Sequence, residues 1–388
     1  MNDGQLAVVG VGSIGSMALW QASQLSQSVV GFEAESPGHP RSAVGGDTRL
    51  FRMTYRGENN YYPILQRARA LWRELEAESS QSILTQCGGL SIGSPDELYI
   101  PQLLESIRRT GAPHEVLDRD QMAQRYPQHS LREGECAVFD AEAGFLRTDR
   151  AVLAALDVAQ ANGATVLRHT PVDEIREVAD GAVVSSGTSS WTFDRVIVAG
   201  GGWSTTLLPD GLRQWVRPRR SYLSWFAARD AAEFVPERFP IFIRISGDRS
   251  LYGAPTVDSV TVKATLDGRS SPTADAASVP RELTPEEIAE TTDTVAEFLP
   301  GLIPDIVRSD AYPDLFTEDE AALLGTVGSS PRIYYATGFS GTGFKMSSAF
   351  GAIAAREALS GFEEPGFDFL RPDRFLSRTG SGQESRLR

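Results

Sequence analysis

A short apolar run near the start of the chain leads into a glycine-rich turn and then into a longer stretch with helical periodicity. Residues 5–10 (QLAVVG) predict a buried strand, and the small and apolar residues that follow through Leu25 predict a helix. A second apolar run at 28–33 (SVVGFE) predicts another buried strand that ends in an acid. This order of strand, glycine turn, helix, strand and acid is typical of a dinucleotide-binding unit.

The turn after the first predicted strand has the spacing G-x-G-x-x-G over residues 10–15. Its first glycine permits a tight turn, its second lets the backbone approach a pyrophosphate, and its third lets the helix pack against the strand. The N–H groups and the positive dipole at the start of the helix then favour phosphate binding. The predicted cofactor-binding residues of this turn are Gly10, Gly12, Ser13, Ile14 and Gly15.

The acid that ends the second predicted strand is Glu33. Its carboxylate can accept hydrogen bonds from a ribose, and its charge would repel the 2′-phosphate of NADP. The alternative interpretation of the whole segment is a glycine turn in an ordinary βαβ unit.

A later apolar strand also ends in glycines. Residues 194–199 (DRVIVA) run into 200–203 (GGGW), which is more than an NAD-binding fold needs. The pattern suggests that the backbone approaches a long dinucleotide a second time, at Gly200, Gly201 and Trp203.

The rest of the pattern mixes helices and strands, and 388 residues exceed the usual span of one core, so two domains are expected in an α/β fold. Residues 217–262 alternate in the manner of strands, and 172–184 resembles a hairpin. Helices are predicted at 62–78, 97–110, 118–126, 148–162, 284–298 and 346–359.

Composition narrows the possible partners. The net charge is −14 at pH 7, which disfavours binding to nucleic acid or to anionic membranes but permits a local basic pocket. No apolar run approaches the ~18 residues of a membrane span, and no targeting segment is evident, so a cytoplasmic location is expected. Two cysteines without C-x-x-C spacing and four scattered histidines predict no metal site.

Several further motifs occur in a specific order: GDTRLFR at 46–52, YGAP at 252–255, Lys263, and GFSGTGFK at 338–345. With the glycine turn, they resemble the monomeric sarcosine oxidase and N-methyltryptophan oxidase family of D-amino-acid-oxidase-like flavoproteins. The resemblance covers nearly the whole chain. It implies a Rossmann-type FAD-binding domain (1–80, 141–216 and 321–372), a mixed-β-sheet substrate domain (81–140 and 217–320) and a flexible tail (373–388).

The resemblance also implies roles for individual side chains. It places Arg49 beside the flavin ring, and Arg52 and Lys345 on the substrate carboxylate. It places Lys263 near flavin N5, where it promotes the reaction of reduced flavin with oxygen, and Tyr252 in the substrate cavity. Further cofactor contacts are implied at Asp47, Thr48, Arg49, Val172, Gly338, Phe339, Ser340, Gly341, Gly343 and Lys345.

Each of these residues has a plainer interpretation. The two arginines share a face if the segment is helical, but they could equally be solvated. Lys263 could be a solvent-facing strand lysine, and Tyr252 a core aromatic with a wet hydroxyl. Lys345 could lie on a surface helix, although lysine is unfavourable at a helix N-terminus.

The chain departs from the family pattern at the site of covalent flavin attachment. The family has a cysteine shortly before a Thr-x-Asp segment, which here is Thr317-Glu318-Asp319, and Tyr312 is the approximate counterpart of that cysteine. FAD is therefore expected to bind non-covalently. Cys87 and Cys136 are expected to be small buried hydrophobes.

Two family histidines are also replaced. Thr342 takes the place of one in the glycine-rich loop, and Asp267, four residues after Lys263, takes the place of the other. Thr342 is therefore a candidate substrate contact, and sarcosine itself is not the expected substrate.

The predicted activity is oxidation of a small or N-alkyl amino acid by FAD, with O2 as the acceptor, to an imine and H2O2. The enzyme is expected to be a monomer, by resemblance. One alternative is a flavin dehydrogenase with another acceptor. Others are a tailoring oxidase of a biosynthetic pathway, an NAD-dependent dehydrogenase and a non-catalytic flavoprotein subunit.

Overall fold

The computed structural model of the chain describes residues 2–56, 61–328 and 330–376, with strands arranged in three sheets. The strands are β1 (Gly4–Val9), β2 (Val29–Phe32), β3 (Thr48–Phe51), β4 (Leu84–Thr85), β5 (Gly89–Gly93), β6 (Glu115–Leu117), β7 (Cys136–Asp140), β8 (Gly144–Arg147), β9 (Thr165–Leu167), β10 (Glu174–Val178), β11 (Gly181–Ser186), β12 (Ser189–Val198), β13 (Val216–Ala228), β14 (Ile241–Ser246), β15 (Arg249–Ala254), β16 (Thr261–Leu266), β17 (Ser270–Pro272), β18 (Leu302–Thr317), β19 (Leu323–Val327) and β20 (Ser330–Thr337). The helices are α1 (Ser13–Leu25), α2 (Tyr62–Ser79), α3 (Tyr99–Thr110), α4 (Arg119–Arg125), α5 (Thr148–Ala161), α6 (Asp210–Arg213), α7 (Pro285–Phe298), α8 (Ser347–Ser360) and α9 (Asp373–Leu376).

The first sheet contains the predicted dinucleotide-binding unit. β1 pairs in parallel with β2 and β12, β2 pairs in parallel with β9, and β12 pairs in parallel with β20. Both faces of β1 are covered, because Leu6 and Val8 lie in one apolar core while Ala7 and Val9 lie in another. A parallel sheet that is buried on both faces is the arrangement of a doubly wound nucleotide-binding fold.

The second sheet is mixed, with the order β17-β13-β16-β15-β14-β5-β7-β6 and with β18 paired to β13. β5 and β14 run parallel, whereas β16 is antiparallel to both of its neighbours. Val262, Ala264 and Leu266 of β16 pack into the same core as Phe298 of α7. Because side chains alternate along a strand, Lys263 lies on the opposite face of β16.

The third sheet is small and carries the two predicted active-site arginines. Its order is β3-β8-β4, and Arg49 of β3 pairs with Leu146 of β8. Arg52 follows the end of β3, so the helical spacing considered for the two arginines is wrong. The segment is extended because β3 is held by the antiparallel β8 strand, which the spacing of the arginines could not reveal.

The division of the chain into two domains, with its boundaries, stays a prediction. The flexible tail expected from residue 373 is wrong at its start, because Asp373–Leu376 forms the helix α9. Phe375 is fully buried and stacks on Trp215 with ring centroids 5.2 Å apart, and Arg374 pairs with Asp319. Residues 377–388 lie outside the described part of the chain. Of the helices described, none is both long enough and apolar enough to cross a membrane.

Candidate active site

The three glycines of the predicted turn have different surroundings. Gly10 has φ of +88°, and a Cβ there would come within 2.6 Å of the Cα of Gly200. A Cβ on Gly15 would collide with the carbonyl oxygen of Gly10, whereas one on Gly12 would meet nothing within 4 Å. The outer glycines therefore permit close packing of β1, β12 and α1, and the middle one leaves the surface of the turn open to a ligand.

The start of α1 is suited to an anion. The helix has no side-chain cap at Gly12 and no acid in its first turn, so neither an internal acceptor nor a negative charge competes for its N–H groups. The hydroxyl of Ser16 is buried without a hydrogen-bond partner in the described chain. A phosphate at the surface of Gly12, next to Ser13 and Ile14, would meet these unsatisfied donors.

Glu33 is held beside the glycine turn by hydrogen bonds to its carboxylate. One of its carboxylate oxygens accepts the N–H of Val11 at 2.9 Å and the other accepts the N–H of Glu35 at 2.9 Å. These bonds fix the carboxylate between the glycine turn and the end of β2, and each oxygen keeps a lone pair for a hydroxyl. Val172 is near this point, since the N–H of Thr170 donates to the carbonyl of Glu33 at 2.8 Å.

The end of β12 forms the second approach of backbone. Gly200 packs on Gly10, and a Cβ on Gly201, which has φ of +54°, would meet nothing within 4 Å. The backbone N–H of Trp203 donates to the carbonyl of Gly200 at 3.0 Å, and Trp203 is 37% exposed. Two open glycine surfaces, an uncapped helix and a fixed acid together fit an extended dinucleotide such as FAD.

The loop between β20 and α8 is fastened to the end of β18. Ser340 has φ of +50°, donates its N–H to the carbonyl of Leu315 at 3.0 Å and accepts the N–H of Thr317 through its hydroxyl at 3.1 Å. The N–H of Gly341 donates to the carboxylate of Asp314 at 2.8 Å. The φ values of Gly338 (+67°) and Gly341 (+78°) favour glycine, and Phe339 packs against Gly343.

Lys263 is buried beside Arg49, so its interpretation as a solvent-facing lysine is wrong. Its side chain is 3% exposed, and its amino group donates to the carbonyls of Gly46 at 2.5 Å and Thr48 at 2.7 Å. Burial, followed by the charge of Arg49, lowers the pKa of Lys263 well below its usual value. Arg49 in turn donates to the carbonyls of Thr48 at 2.9 Å and Ala43 at 2.8 Å. The two side chains thus hold one loop, 43–48, by hydrogen bonds to its carbonyls.

Asp47, in the same loop, directs its carboxylate to Arg308 of β18. The guanidinium of Arg308 lies 3.9 Å from the ring centroid of Trp225, whose other neighbour is the amino group of Lys263 at 5.3 Å. Asp47 adopts φ of +62°, a conformation that few non-glycine residues take. The ion pair holds this conformation, and Trp225 separates Lys263 from the half-exposed Arg308.

Arg52 and Lys345 converge on one aromatic ring. The Arg52 guanidinium lies 5.7 Å from the ring centroid of Tyr55, and the Lys345 ammonium lies 5.3 Å from it. Within the described residues neither side chain forms a hydrogen bond or an ion pair, and the Nε of Arg52 is buried. Burial, followed by the charge of Arg52, lowers the pKa of Lys345 to about 7. Lys345 is thus not a solvated surface lysine.

Two acids act on the Lys345 ammonium, Asp267 and Asp314, and both oppose the fall in its pKa. Burial raises the pKa of the Asp314 carboxyl to about 6, against the hydrogen bonds that it accepts from the N–H groups of Leu315 and Gly341. Thr342 is half-buried in the glycine-rich loop and donates its hydroxyl to the carbonyl of Phe339 at 2.8 Å.

Tyr252 faces the same space as Lys263. It pairs with Thr265 across β15 and β16, and side chains of directly paired residues share one face of a sheet. Because Thr265 is two residues after Lys263 in β16, Lys263 lies on that same face. It packs on a cluster that contains Leu223, Trp225 and Tyr312, and burial raises the pKa of its hydroxyl. Tyr312 lies 5.9 Å from the Arg49 guanidinium, measured to its ring centroid.

The cysteines lie in the second sheet region, apart from Tyr312. Both are free and partly buried, and burial raises the pKa of the Cys87 thiol to about 11. Among the residues of known position, no three His, Cys, Asp or Glu side chains are grouped so as to hold a metal.

A doubly wound sheet with an open phosphate turn, joined to a mixed sheet with a cationic pocket, defines a dinucleotide-dependent oxidoreductase. The chain belongs to the family of FAD-dependent oxidoreductases, whose sequence model matches residues 5–357. FAD is therefore its cofactor.

Two relatives extend over almost the whole chain. Monomeric sarcosine oxidase of Streptomyces avermitilis is 28% identical over 358 residues, which cover 91% of this chain and 93% of the relative. N-methyl-L-tryptophan oxidase of Yersinia pestis is 28% identical over 354 residues, which cover 91% and 94%.

Solved structures share the fold. NikD, an unusual amino acid oxidase essential for nikkomycin biosynthesis, gives a TM-score of 0.85 at 20% identity and covers 96% of this chain and 98% of its own. L-proline dehydrogenase from P. horikoshii gives 0.83 at 20% identity, covering 97% and 99%. Glycine oxidase from Geobacillus kaustophilus gives 0.79 at 19% identity, covering 96% and 99%.

Sequence reasoning missed three members of the site. Tyr55 is three residues after Arg52, and Trp225 lies in the alternating SYLSWFA segment. Both positions were noticeable in the sequence, but neither pattern distinguishes a site residue from a core aromatic. Asp314 lies between Tyr312 and Phe316 on one face of β18, and an acid between two aromatics was the signal that could have found it.

Proposed function

We propose that this protein is an FAD-dependent oxidase of a small amino acid or N-alkyl amino acid, which it converts to an imine with formation of H2O2. One observation carries the proposal. Arg52 and Lys345, which form no hydrogen bond or ion pair with the described residues, both lie close to the Tyr55 ring centroid, at 5.7 and 5.3 Å. Partly buried cations without a hydrogen-bond or ion-pair partner favour an anionic ligand, and a carboxylate matches the fork of a guanidinium.

The names of the relatives support the substrate class. The Streptomyces avermitilis protein is a sarcosine oxidase, and the Yersinia pestis protein acts on N-methyl-L-tryptophan. Both substrates are amino acids with an N-methyl group. Because Thr342 and Asp267 stand where the resemblance implies histidines, we propose a substrate other than sarcosine.

In this proposal Arg52 and Lys345 hold the substrate carboxylate, which aims the carbon next to the nitrogen at the cofactor. The chemistry that bound FAD would supply is acceptance of a hydride equivalent (two electrons and one proton) from that C–H bond; with the proton that the amine nitrogen loses as the imine forms, this reduces O2 to H2O2. The amine must be neutral, since its lone pair forms the C=N bond of the imine. Tyr252 and Thr342 line the remainder of the cavity.

Lys263 and Arg49 occupy the region of the flavin ring in this proposal. In its protonated form Lys263 has three N–H donors, of which two are engaged by carbonyls, so the ammonium is fixed in place and its third N–H can face negative charge as it develops on oxygen. A preorganised donor of this kind supports O2 as the acceptor over a separate electron carrier.

The cofactor is proposed to be bound without a covalent link. Tyr312 takes the place of the family cysteine, and Cys87 and Cys136 lie elsewhere. Acid precipitation of the purified protein should leave yellow flavin in the supernatant. Flavin in the pellet would contradict this interpretation of Tyr312.

The activity itself is tested by measuring O2 consumption and H2O2 with a panel of L-, D- and N-methyl amino acids. One or more members should give both signals in a one-to-one ratio. Flavin reduction without O2 consumption would instead identify a dehydrogenase. No reduction by any member, in a protein loaded with FAD, would contradict the proposed activity.

Two further properties belong to the proposal. We propose that the protein acts as a monomer, as the name of the Streptomyces avermitilis relative states for that enzyme. A cytoplasmic location is proposed from the sequence expectation. Analytical ultracentrifugation and cell fractionation would test the two properties directly.

A further inference from the structure

Asp140, at the end of β7, reaches out of the second sheet to the segment that carries Arg52. One carboxylate oxygen accepts the N–H of Met53 at 2.8 Å, the N–H of Thr54 at 3.0 Å and the hydroxyl of Thr54 at 3.3 Å. The other oxygen accepts the N–H of Glu142 at 3.0 Å. Asp140 is 1% exposed, so these contacts are shielded from water and any lost bond leaves a buried donor unsatisfied.

The two residues that donate hydrogen bonds to Asp140, Met53 and Thr54, lie between Arg52 and Tyr55. Those flanking side chains form the walls of the proposed carboxylate site, 5.7 Å apart from guanidinium carbon to ring centroid. β3 ends at Phe51, so no strand pairing holds this stretch of backbone. The side chain of Arg52 has no partner within the described chain, and its direction is therefore set by its backbone and by Tyr55.

The turn that carries Asp140 is itself anchored. Glu142 pairs with Arg69 of α2, and Ala143 donates its N–H to the carbonyl of Asp140 at 3.3 Å. Asp140 thus joins the turn between β7 and β8, and with it the second sheet, to the Arg52 segment. A rigid supporting shell of this kind is what holds a binding side chain in productive geometry.

We infer that Asp140 is a positioning residue for the substrate carboxylate, acting through Arg52 and Tyr55. The inference rests on the proposed function, because it requires that Arg52 bind a carboxylate. Asparagine at this position keeps the shape but offers one acceptor oxygen and one donor. In one orientation of the asparagine amide, its NH2 group points at the N–H groups of Met53 and Thr54. In the other orientation, it points at the N–H of Glu142, so a donor faces a donor in both cases.

The test uses the FAD-loaded enzyme and propionate, a carboxylate without an amine, titrated by the change in flavin absorbance. Asp140→Asn should raise the Kd of propionate about tenfold or more, since hydrogen bonds to charged groups are strong. With the best substrate of the panel, KM should rise by a similar factor, whereas kcat should change by less than about threefold. Asp118→Asn, which makes the same change at a carboxylate that accepts the N–H of Gln121 at the start of α4, is the matched control and should leave both constants near wild type.

A double-mutant cycle separates positioning from general damage. If Asp140 acts through Arg52, the loss in propionate affinity of Asp140→Asn should nearly vanish in an Arg52→Gln background. Additive losses, or loss of FAD binding along with propionate binding, would overturn the inference. If Asp140→Asn fails to fold, Thr54→Val removes only the hydroxyl contact and should raise the Kd about twofold to threefold; an unchanged Kd would also count against it.

The failure of the proposed function has a different signature. Wild-type enzyme that binds FAD but neither binds propionate nor is reduced by any amino acid would remove the carboxylate site itself. A wild type that binds propionate while Asp140→Asn binds it equally well would reject the role of Asp140 alone.

Discussion

At the scale of the residue, Lys345 combines burial with the neighbouring charge of Arg52, and its pKa falls to about 7. A lysine with such a pKa changes charge within the working range of an enzyme. Arg52 does not, because a guanidinium keeps its proton. The two cations of the proposed carboxylate site therefore differ in their response to pH.

We predict that the Kd of propionate rises as the pH is raised through about 7, by no more than tenfold per pH unit, because only protonated Lys345 attracts the carboxylate. Asp267 raises the pKa of Lys345, so Asp267→Asn should move the inflection below 7. Asp310→Asn, at the Arg281 ion pair, is the control. An inflection that moves upward would contradict the assigned electrostatics.

Lys263 gives a second prediction at this scale. Lys263→Met should slow the reaction of reduced enzyme with O2 by about a hundredfold, because a preorganised donor beside developing charge is lost. Anaerobic reduction by substrate should change little. Stopped-flow measurement of the two half-reactions checks this, and fast reoxidation in the variant would show that oxygen reacts elsewhere.

The burial of Lys263 and the partial burial of Lys345 could not be obtained from local sequence. Alternation along 259–266 predicted which side chains share a face, and this is confirmed by Val262 and Ala264 in the α7 core. Whether the other face meets solvent depends on the loop 43–48 and on Trp225, which are distant in sequence. The resemblance to a family supplied the functional interpretation that the pattern left open.

At the scale of the element, the glycine turn and α1 form the part of the site that sequence predicts best. Each glycine has a local steric reason, and the uncapped helix follows from Gly12 and the small residues after it. The predicted helices at 62–78, 148–162 and 284–298 are confirmed within a few residues. The extended Arg49 segment was harder to predict, because β3 is four residues long and is defined by its pairing with β8.

Gly12→Ala tests the open surface of the turn. Since a Cβ there meets no protein atom within 4 Å, the apoprotein should keep its free energy of unfolding within about 1 kcal/mol. The Kd of FAD should rise at least about tenfold, because the methyl group takes the place of the ligand. Gly328→Ala, at an equally open position, is the control, and normal FAD affinity in Gly12→Ala would place the pyrophosphate elsewhere.

At the scale of the whole molecule, two sheets of different character share one site. The parallel sheet supplies the glycine turns and Glu33, and the mixed sheet supplies Lys263 and Tyr252. The small sheet carries Arg49, and Asp140 bridges to the residues after it. The cationic pocket is a local exception in a chain whose net charge is −14. Composition permitted such a pocket but could not show where in the fold it lies.

The C-terminal helix α9 belongs to this global packing. Phe375→Ala should lower the free energy of unfolding by about 3 kcal/mol, because a fully buried aromatic ring is removed from its contact with Trp215. Phe362→Ala, at a side chain that is 69% exposed, should change it by less than about 0.5 kcal/mol. Urea denaturation compares the two variants, and equal midpoints would show that α9 contributes nothing to stability.

The central claim is that the pocket of Arg52 and Lys345 brings an amino acid to FAD by its carboxylate. The most direct measurement is an anaerobic absorbance titration of the FAD-loaded protein with each amino acid of the panel and with the corresponding decarboxylated amine. We expect that at least one amino acid bleaches the flavin and that its decarboxylated amine does so at least about a hundredfold less efficiently. Equal bleaching by the amine would contradict the assignment of Arg52 and Lys345.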